Sequence, residues 1–128
     1  LLIRNFKLED EIFLLGYKKN VYKYLKNSKC LILSSKWEDP GFVLLEASFL
    51  NIPIISSDCK NGPKEILSNG EGGFLFENGN EKDLLRKFDN FTACSKSKLK
   101  NQLIKSKFNS KKYTQFNHFL KLKKIISA

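Results

Sequence analysis

Residues Cys30-Leu-Ile-Leu-Ser-Ser-Lys-Trp-Glu-Asp-Pro-Gly-Phe-Val-Leu-Leu-Glu-Ala-Ser-Phe-Leu50 decide the fold. The apolar run at 30–34 reads as a buried strand, and Glu38-Asp-Pro-Gly41 reads as a turn. Beyond it Phe42, Leu45, Phe49 and Leu50 recur at three- and four-residue spacing with no charge in the stripe, which predicts a helix over 42–50. In an open parallel sheet such a loop faces the crevice at the carboxyl ends of the strands, where ligands bind. Glu38 falls in the loop, and Glu46, eight positions on, lies just over one turn inside the helix. The Gly41 and Phe42 amides begin the helix and are free to meet an anion such as a phosphate. Carboxylates flanking those amides cannot serve a phosphate; they accept hydrogen bonds from hydroxyls. A ligand with hydroxyls on both sides of a diphosphate fits, and a nucleotide sugar has that shape. Paired glutamates at this spacing also arise by chance, in which case the motif is only a helix start.

Working outward, short apolar runs alternate with helical segments through residue 90. Strands are expected near 12–15, 30–34, 53–57 and 73–76, and helices near 20–28, 42–50, 62–69 and 81–90. The alternation implies βαβ units and a parallel sheet. Asn20 and Asn80 are placed as N-caps, and Asp83 three residues after Asn80 makes a capping-box pattern. Pro63 suits the first turn of a helix, since its missing N–H is not needed there. Glu65 then complements the helix dipole, which explains it without a ligand, and Lys64 reads as an exposed cation. Gly70 is placed as a helix stop. Leu1 to Leu8 reads as the tail of a helix with Leu2, Ile3 and Phe6 on one side.

Charge divides the chain. Residues 1–90 hold 13 basic and 13 acidic side chains, whereas residues 91–128 hold ten lysines and no acid, so the whole net charge of +10 sits in the last 38 residues. Overall basicity is therefore no argument for nucleic-acid binding, and lysine without arginine reads bases poorly. Two regions are expected: an α/β unit over 1–90 and a basic amphipathic helical tail over 91–128, its helices interrupted near Asn109-Ser110. Three cysteines without paired spacing argue against a disulfide framework. Cys30 reads as core, and Cys59 and Cys94 as loop or helix-surface thiols. The only histidine, His118, has no metal-ligating neighbour in sequence, and no metal site is expected. No apolar run of about 18 residues is present, and the expected setting is cytoplasmic, with peripheral contact at the inner face of a membrane left open. The absence of methionine and the opening Leu1-Leu-Ile read as an excerpt that begins partway through a domain.

A series of motifs in order resembles the group 1 (family 4) retaining glycosyltransferases. The run Ser34-Ser-Lys-Trp-Glu-Asp-Pro-Gly-Phe-Val-Leu-Leu-Glu-Ala47 looks like that family's signature. Asn51-Ile-Pro-Ile-Ile-Ser-Ser-Asp58, Asn61-Gly-Pro-Lys-Glu-Ile-Leu67 and Gly72-Gly-Phe-Leu-Phe76 follow in register. Upstream, Ile12-Phe-Leu-Leu-Gly16 and Val21-Tyr-Lys-Tyr-Leu25 match its preceding strand and helix. Asn51 stands where the family usually has glycine; asparagine is the next-best residue for a left-handed C-cap, so the geometry is expected to hold.

The resemblance implies a GT-B architecture of two Rossmann-like domains, of which this chain would be most of the C-terminal, donor-binding one. By the same resemblance Glu46 accepts hydrogen bonds from the nucleotide ribose. Glu38 contacts donor-sugar hydroxyls at the reacting centre and is the candidate catalytic residue. Pro40, Gly41, Phe42 and Val43 face the phosphates or the sugar. Gly16 and Tyr17 face the base, although an exposed loop aromatic explains Tyr17 equally well. The donor would be a UDP- or GDP-sugar and the acceptor a sugar or a lipid-linked one, with no cofactor and no obligatory metal. The acceptor domain and the cations for the diphosphate are expected upstream of Leu1, so the chain alone is expected not to turn over. A competing reading is a non-catalytic α/β module whose basic tail attaches to an anionic membrane surface. A GT-B phosphorylase or epimerase fits the Glu-Asp-Pro-Gly-Phe run less well.

Overall fold

A computed structural model describes residues 2–127. Three short strands, β1 (Leu31–Leu33), β2 (Ile54–Ser57) and β3 (Phe74–Phe76), form one parallel sheet in the order β1-β2-β3. Leu31 pairs with Ile54, and Ile55 with Phe74. The middle strand is buried along its whole length, which is why its sequence is a continuous apolar and small run rather than an alternation. The helices are α1 (Leu2–Asn5), α2 (Tyr22–Lys26), α3 (Phe42–Phe49), α4 (Pro63–Ile66), α5 (Glu81–Thr92), α6 (Lys96–Ser110) and α7 (Gln115–Ile126).

Two cores flank the sheet. One gathers Leu44, Leu45, Ala47, Ile52, Ile54, Ile66 and Leu67 between α3, α4 and the strands. The other gathers Ile55, Phe74 and Phe76 with Leu84, Phe91 and Leu99. The buried face of α3 is Leu44, Leu45, Ala47 and Ser48. Phe42 and Phe49, expected in the apolar stripe, are exposed. The helix is apolar on nearly every side, so spacing alone could not say which side faces the core.

The local signals act as their chemistry requires. Asn80 accepts the Asp83 N–H at 3.0 Å at the start of α5. The Asp83 carboxylate accepts the Glu77 N–H at 2.8 Å rather than that of Asn80, so the box closes one turn earlier than its pattern implies. Asn20 accepts the Tyr22 N–H at 3.1 Å but stands one residue before the N-cap, which is Val21, so the expected cap of α2 is displaced. Asn51 takes a left-handed φ of 57° after α3, with the Ile52 N–H donating to the Ala47 carbonyl at 2.9 Å and the Asn51 N–H to that of Ser48 at 3.1 Å. Pro63 occupies the first turn of α4.

Two expectations are corrected. Residues 12–15 form no strand: Ile12, Phe13, Leu14 and Leu15 are exposed and join no ladder among the described residues. Apolar content makes a segment eligible for a sheet, but a strand exists only where another backbone pairs with it. Cys59, two residues past the end of the central strand, is buried rather than a surface thiol. Cys30 is half-buried against the second core, which pushes its thiol pKa up. The charge boundary at residue 90 is no boundary in packing. α5 runs through it to Thr92, and α6 lies against α3 and α4, with its lysines outward and Ser106, Asn109 and Ser110 buried. α7, beyond the turn at 111–113, stands apart from the body and is exposed along nearly all of its length, and α1 likewise has no buried residue. The helix expected over 1–8 is shorter: α1 ends at Asn5, Lys7 takes a left-handed φ of 55°, and Leu1 lies outside the described residues.

Candidate functional site

The loops that leave the carboxyl ends of the strands are laced to one another. Ser57 Oγ donates to the Ser35 carbonyl at 2.5 Å, Asn78 Nδ2 to the Lys36 carbonyl at 2.9 Å, and the Asp58 N–H to the Phe76 carbonyl at 2.7 Å. A parallel bridge between Trp37 and Lys60 extends the β1–β2 pairing into the loops, and the Glu38 N–H donates to the Lys60 carbonyl at 3.3 Å. The backbone that carries Glu38 is thus held by both neighbouring loops.

From Glu38 the chain turns through Pro40 to Gly41, whose φ of 81° and ψ of 53° place it in the left-handed region just before α3. The Glu38 carboxylate lies over this glycine: a Cβ at Gly41 would come within 3.4 Å of a carboxylate oxygen. No side chain caps α3, so the Phe42 and Val43 N–H groups have no partner inside the helix. Among the described residues the Glu38 side chain makes no hydrogen bond and no ion pair. A carboxylate near a helix start gains from the helix dipole, and that alone would account for a glutamate here. It would not account for a second glutamate on the same helix. Glu46 stands five residues beyond Gly41, about 7.5 Å along the axis, and half-buried. It accepts a hydrogen bond from the Tyr22 hydroxyl at 3.2 Å. The Glu46 carboxylate, by its charge and this bond, raises the Tyr22 pKa above the usual phenol value.

The candidates divide accordingly. Glu38 and Pro40 lie in the loop before α3, Gly41 is its buried N-cap, and Phe42, Val43 and Glu46 are on the helix. Phe42, at 65% exposed, lies open on it. Gly16, with a φ of 60°, and Tyr17, 91% exposed, lie on the irregular segment before α2, and no side-chain hydrogen bond among the described residues links them to the carboxylates. Lys64 pairs with Asp58 at 3.3 Å and is exposed, as expected for a surface cation. Tyr22 was not foreseen, since it lies 24 residues before Glu46 and no local spacing links them. The resemblance of 21–25 to a helix preceding the site was its only signal. Open depressions elsewhere, such as one lined by Gly70, Glu71, Lys98, Gln102 and Lys105, include neither carboxylate. No group of three His, Cys, Asp or Glu side chains is placed to hold a metal among the described residues.

Comparison with known proteins gives the family and the fold. The family described as Glycosyl transferases group 1 matches residues 1–110. An uncharacterized glycosyltransferase of Methanocaldococcus jannaschii is 48% identical over 66 residues, which are 52% of this chain and 16% of that protein. The N-acetylgalactosamine-N,N'-diacetylbacillosaminyl-diphospho-undecaprenol 4-alpha-N-acetylgalactosaminyltransferase of Campylobacter jejuni is 27% identical over 122 residues, 95% of this chain and 32% of that one. Among solved structures, a mutant of S. aureus TarM in complex with Fondaparinux, alpha-GlcNAc-glycerol and UDP superposes with a TM-score of 0.84 at 25% identity, covering 99% of this chain and 26% of TarM. The chain spans about a sixth to a third of the length of these proteins.

Proposed function

The chain belongs to the group 1 glycosyl transferases, and we propose that it is the donor-binding part of a retaining member that passes a sugar from a nucleoside diphosphate to an acceptor hydroxyl. Its parallel sheet and flanking helices are those of the GT-B glycosyltransferases. The observation that carries the proposal is the start of α3, where two uncapped amides lie between Glu38 and Glu46. Here the amides meet the diphosphate, Glu46 accepts from the ribose, and Glu38 meets the donor sugar. As the leaving diphosphate departs, the sugar ring gains positive charge, and a carboxylate at its edge gains interaction energy with it. We assign no obligatory metal to this reaction.

UDP is the favoured nucleotide, since TarM was solved with it, and GDP is the alternative. The Campylobacter relative, whose name carries a diphospho-undecaprenol, supports a lipid-linked acceptor, and the role proposed is in the synthesis of cell-envelope or related glycans. The test is a panel of UDP- and GDP-sugars offered to the 128-residue chain and to the complete enzyme. The complete enzyme should turn over one donor class, and the chain alone should show only background hydrolysis, because the acceptor site and the diphosphate cations would lie on other segments. Turnover by the chain alone would refute this assignment of roles.

A second reading rests on α7. Phe116, Phe119, Leu120, Leu122, Ile125 and Ile126 are exposed beside Lys121, Lys123 and Lys124. Apolar side chains flanked by lysines suit an anionic membrane surface, and with a lipid-linked acceptor the two readings combine. No helix among the described residues is long and apolar enough to cross a membrane. Co-sedimentation with phosphatidylglycerol vesicles but not with phosphatidylcholine vesicles would support this contact; equal recovery with both would refute it.

A further inference from the structure

Tyr22 and Glu46 come from different elements, yet the phenol oxygen lies 3.2 Å from Glu46 Oε1. Tyr22 is itself held in place: its N–H donates to Asn20 Oδ1 at 3.1 Å, and α2 is anchored by the buried Leu25. A half-buried glutamate such as Glu46 still has more than one rotamer, and ordering it on binding costs conformational entropy. A phenol has one proton to donate and lone pairs that accept. Donating to Oε1 fixes the carboxylate and leaves Oε2 free for a ligand hydroxyl. The phenol oxygen can meanwhile accept from a neighbouring hydroxyl. Two acceptors side by side suit two adjacent hydroxyls.

We propose that Tyr22 is a positioning residue of the donor site, holding Glu46 so that the pair meets the vicinal diol of the donor's ribose. The inference rests on the assignment of Glu46 to the ribose. It adds a residue outside the signature run, on a helix that precedes the sheet.

The test is a double-mutant cycle in the complete enzyme, with Tyr22→Phe, Glu46→Ala and the pair. Tyr22→Phe keeps the ring and its packing, and an unchanged melting temperature confirms that the fold is intact. It should raise the donor KM about 3- to 10-fold with kcat within about twofold, the effect of losing one oriented hydrogen bond in ground and transition states alike. In the Glu46→Ala background it should add little, since the group it positions is gone. If Glu46→Ala raises the donor KM and Tyr22→Phe does not, the positioning role is overturned while the ribose assignment stands. If Tyr22→Phe adds its full factor on top of Glu46→Ala, Tyr22 acts on the ligand by itself and the inference also falls. If Glu46→Ala leaves the donor KM unchanged, the ribose assignment fails and the inference goes with it.

Discussion

Gly62 passes beneath the carbonyl of Pro40 so closely that a Cβ at position 62 would lie 2.2 Å from that oxygen. The contact joins the start of α4 to the loop that carries Glu38. Gly62 also has a φ of 126°, which side-chain-bearing residues rarely adopt. Only glycine satisfies both the space and the backbone.

Gly62→Ala should therefore be among the most damaging small substitutions in the chain. Backbone strain and overlap together should cost roughly 3 kcal/mol or more, and moving the loop should lower kcat through Glu38. Gly79→Ala is the control. Its φ is 78°, but nothing lies within 4 Å of the added carbon, so it should cost only about 1 kcal/mol. Denaturant midpoints of the two variants make the comparison. Equal midpoints would show that the Pro40 contact yields without cost.

The seam between α3 and α6 rests on a buried hydroxyl pair. Ser48 Oγ donates to the Leu44 carbonyl at 2.7 Å, so at the 2.6 Å contact with Ser106 its lone pair accepts and Ser106 donates. Gly72 closes the other side, with room for no Cβ nearer than 3.1 Å to Ser106 Cα. Ser106→Ala should cost about 1 kcal/mol for the lost bond. Ser106→Val should cost roughly 1–3 kcal/mol, because the extra methyl has nowhere to go. Chemical denaturation would measure both, and a valine variant as stable as wild type would mean that the seam is loosely packed.

Asp83 makes stability depend on acid. Its carboxylate accepts the Glu77 N–H at 2.8 Å and Arg86 Nε and Nη2 at 2.9 and 2.6 Å. The Glu77 amide first, and Arg86 after it, hold its pKa below the ordinary carboxylate range. The folded state therefore binds this proton less readily than the unfolded one. The stabilisation is complete above the unfolded pKa of about 3.9 and is lost as pH falls through the lower folded value. Wild type should exceed Asp83→Asn in stability at pH 6, and the gap should narrow towards pH 2. A gap that stays constant over that range would remove Asp83 from the acid response.

Much of this was legible in the residues because the physics is local. Cys30–Ser34, Pro53–Ser57 and Gly73–Phe76 read as strands from apolar runs closed by polar residues, and Asn51 and Asn80 read as caps from side-chain chemistry. What was not legible depends on partners distant in sequence. Residues 12–15 carry a strand's composition but have no backbone to pair with. The lysines of α6 concealed how deeply its opposite side is buried, because beside Leu99 that side is built from Ser106, Asn109 and Ser110. Asn109 reaches the Glu65 and Ile66 carbonyls at 2.6 and 2.9 Å, a contact across more than 40 residues that no periodicity announces. The two glutamates were visible in the signature run; the tyrosine that touches one of them was not.

The central claim is that Glu38 and Glu46 serve one donor in different ways. Steady-state kinetics of Glu38→Ala and Glu46→Ala in the complete enzyme, with donor concentration varied, tests it most directly. Losing a charge-assisted hydrogen bond costs roughly 1.5–3 kcal/mol, or about 10- to 150-fold. Glu46→Ala should place that loss in the donor KM, because the ribose changes little on the way to the transition state. Glu38→Ala should place it in kcat, and Glu38→Gln should recover less than Glu46→Gln, since only at position 38 is the charge itself required. Near-normal kcat and KM in both alanine variants would contradict the account and reduce the motif to the start of a helix.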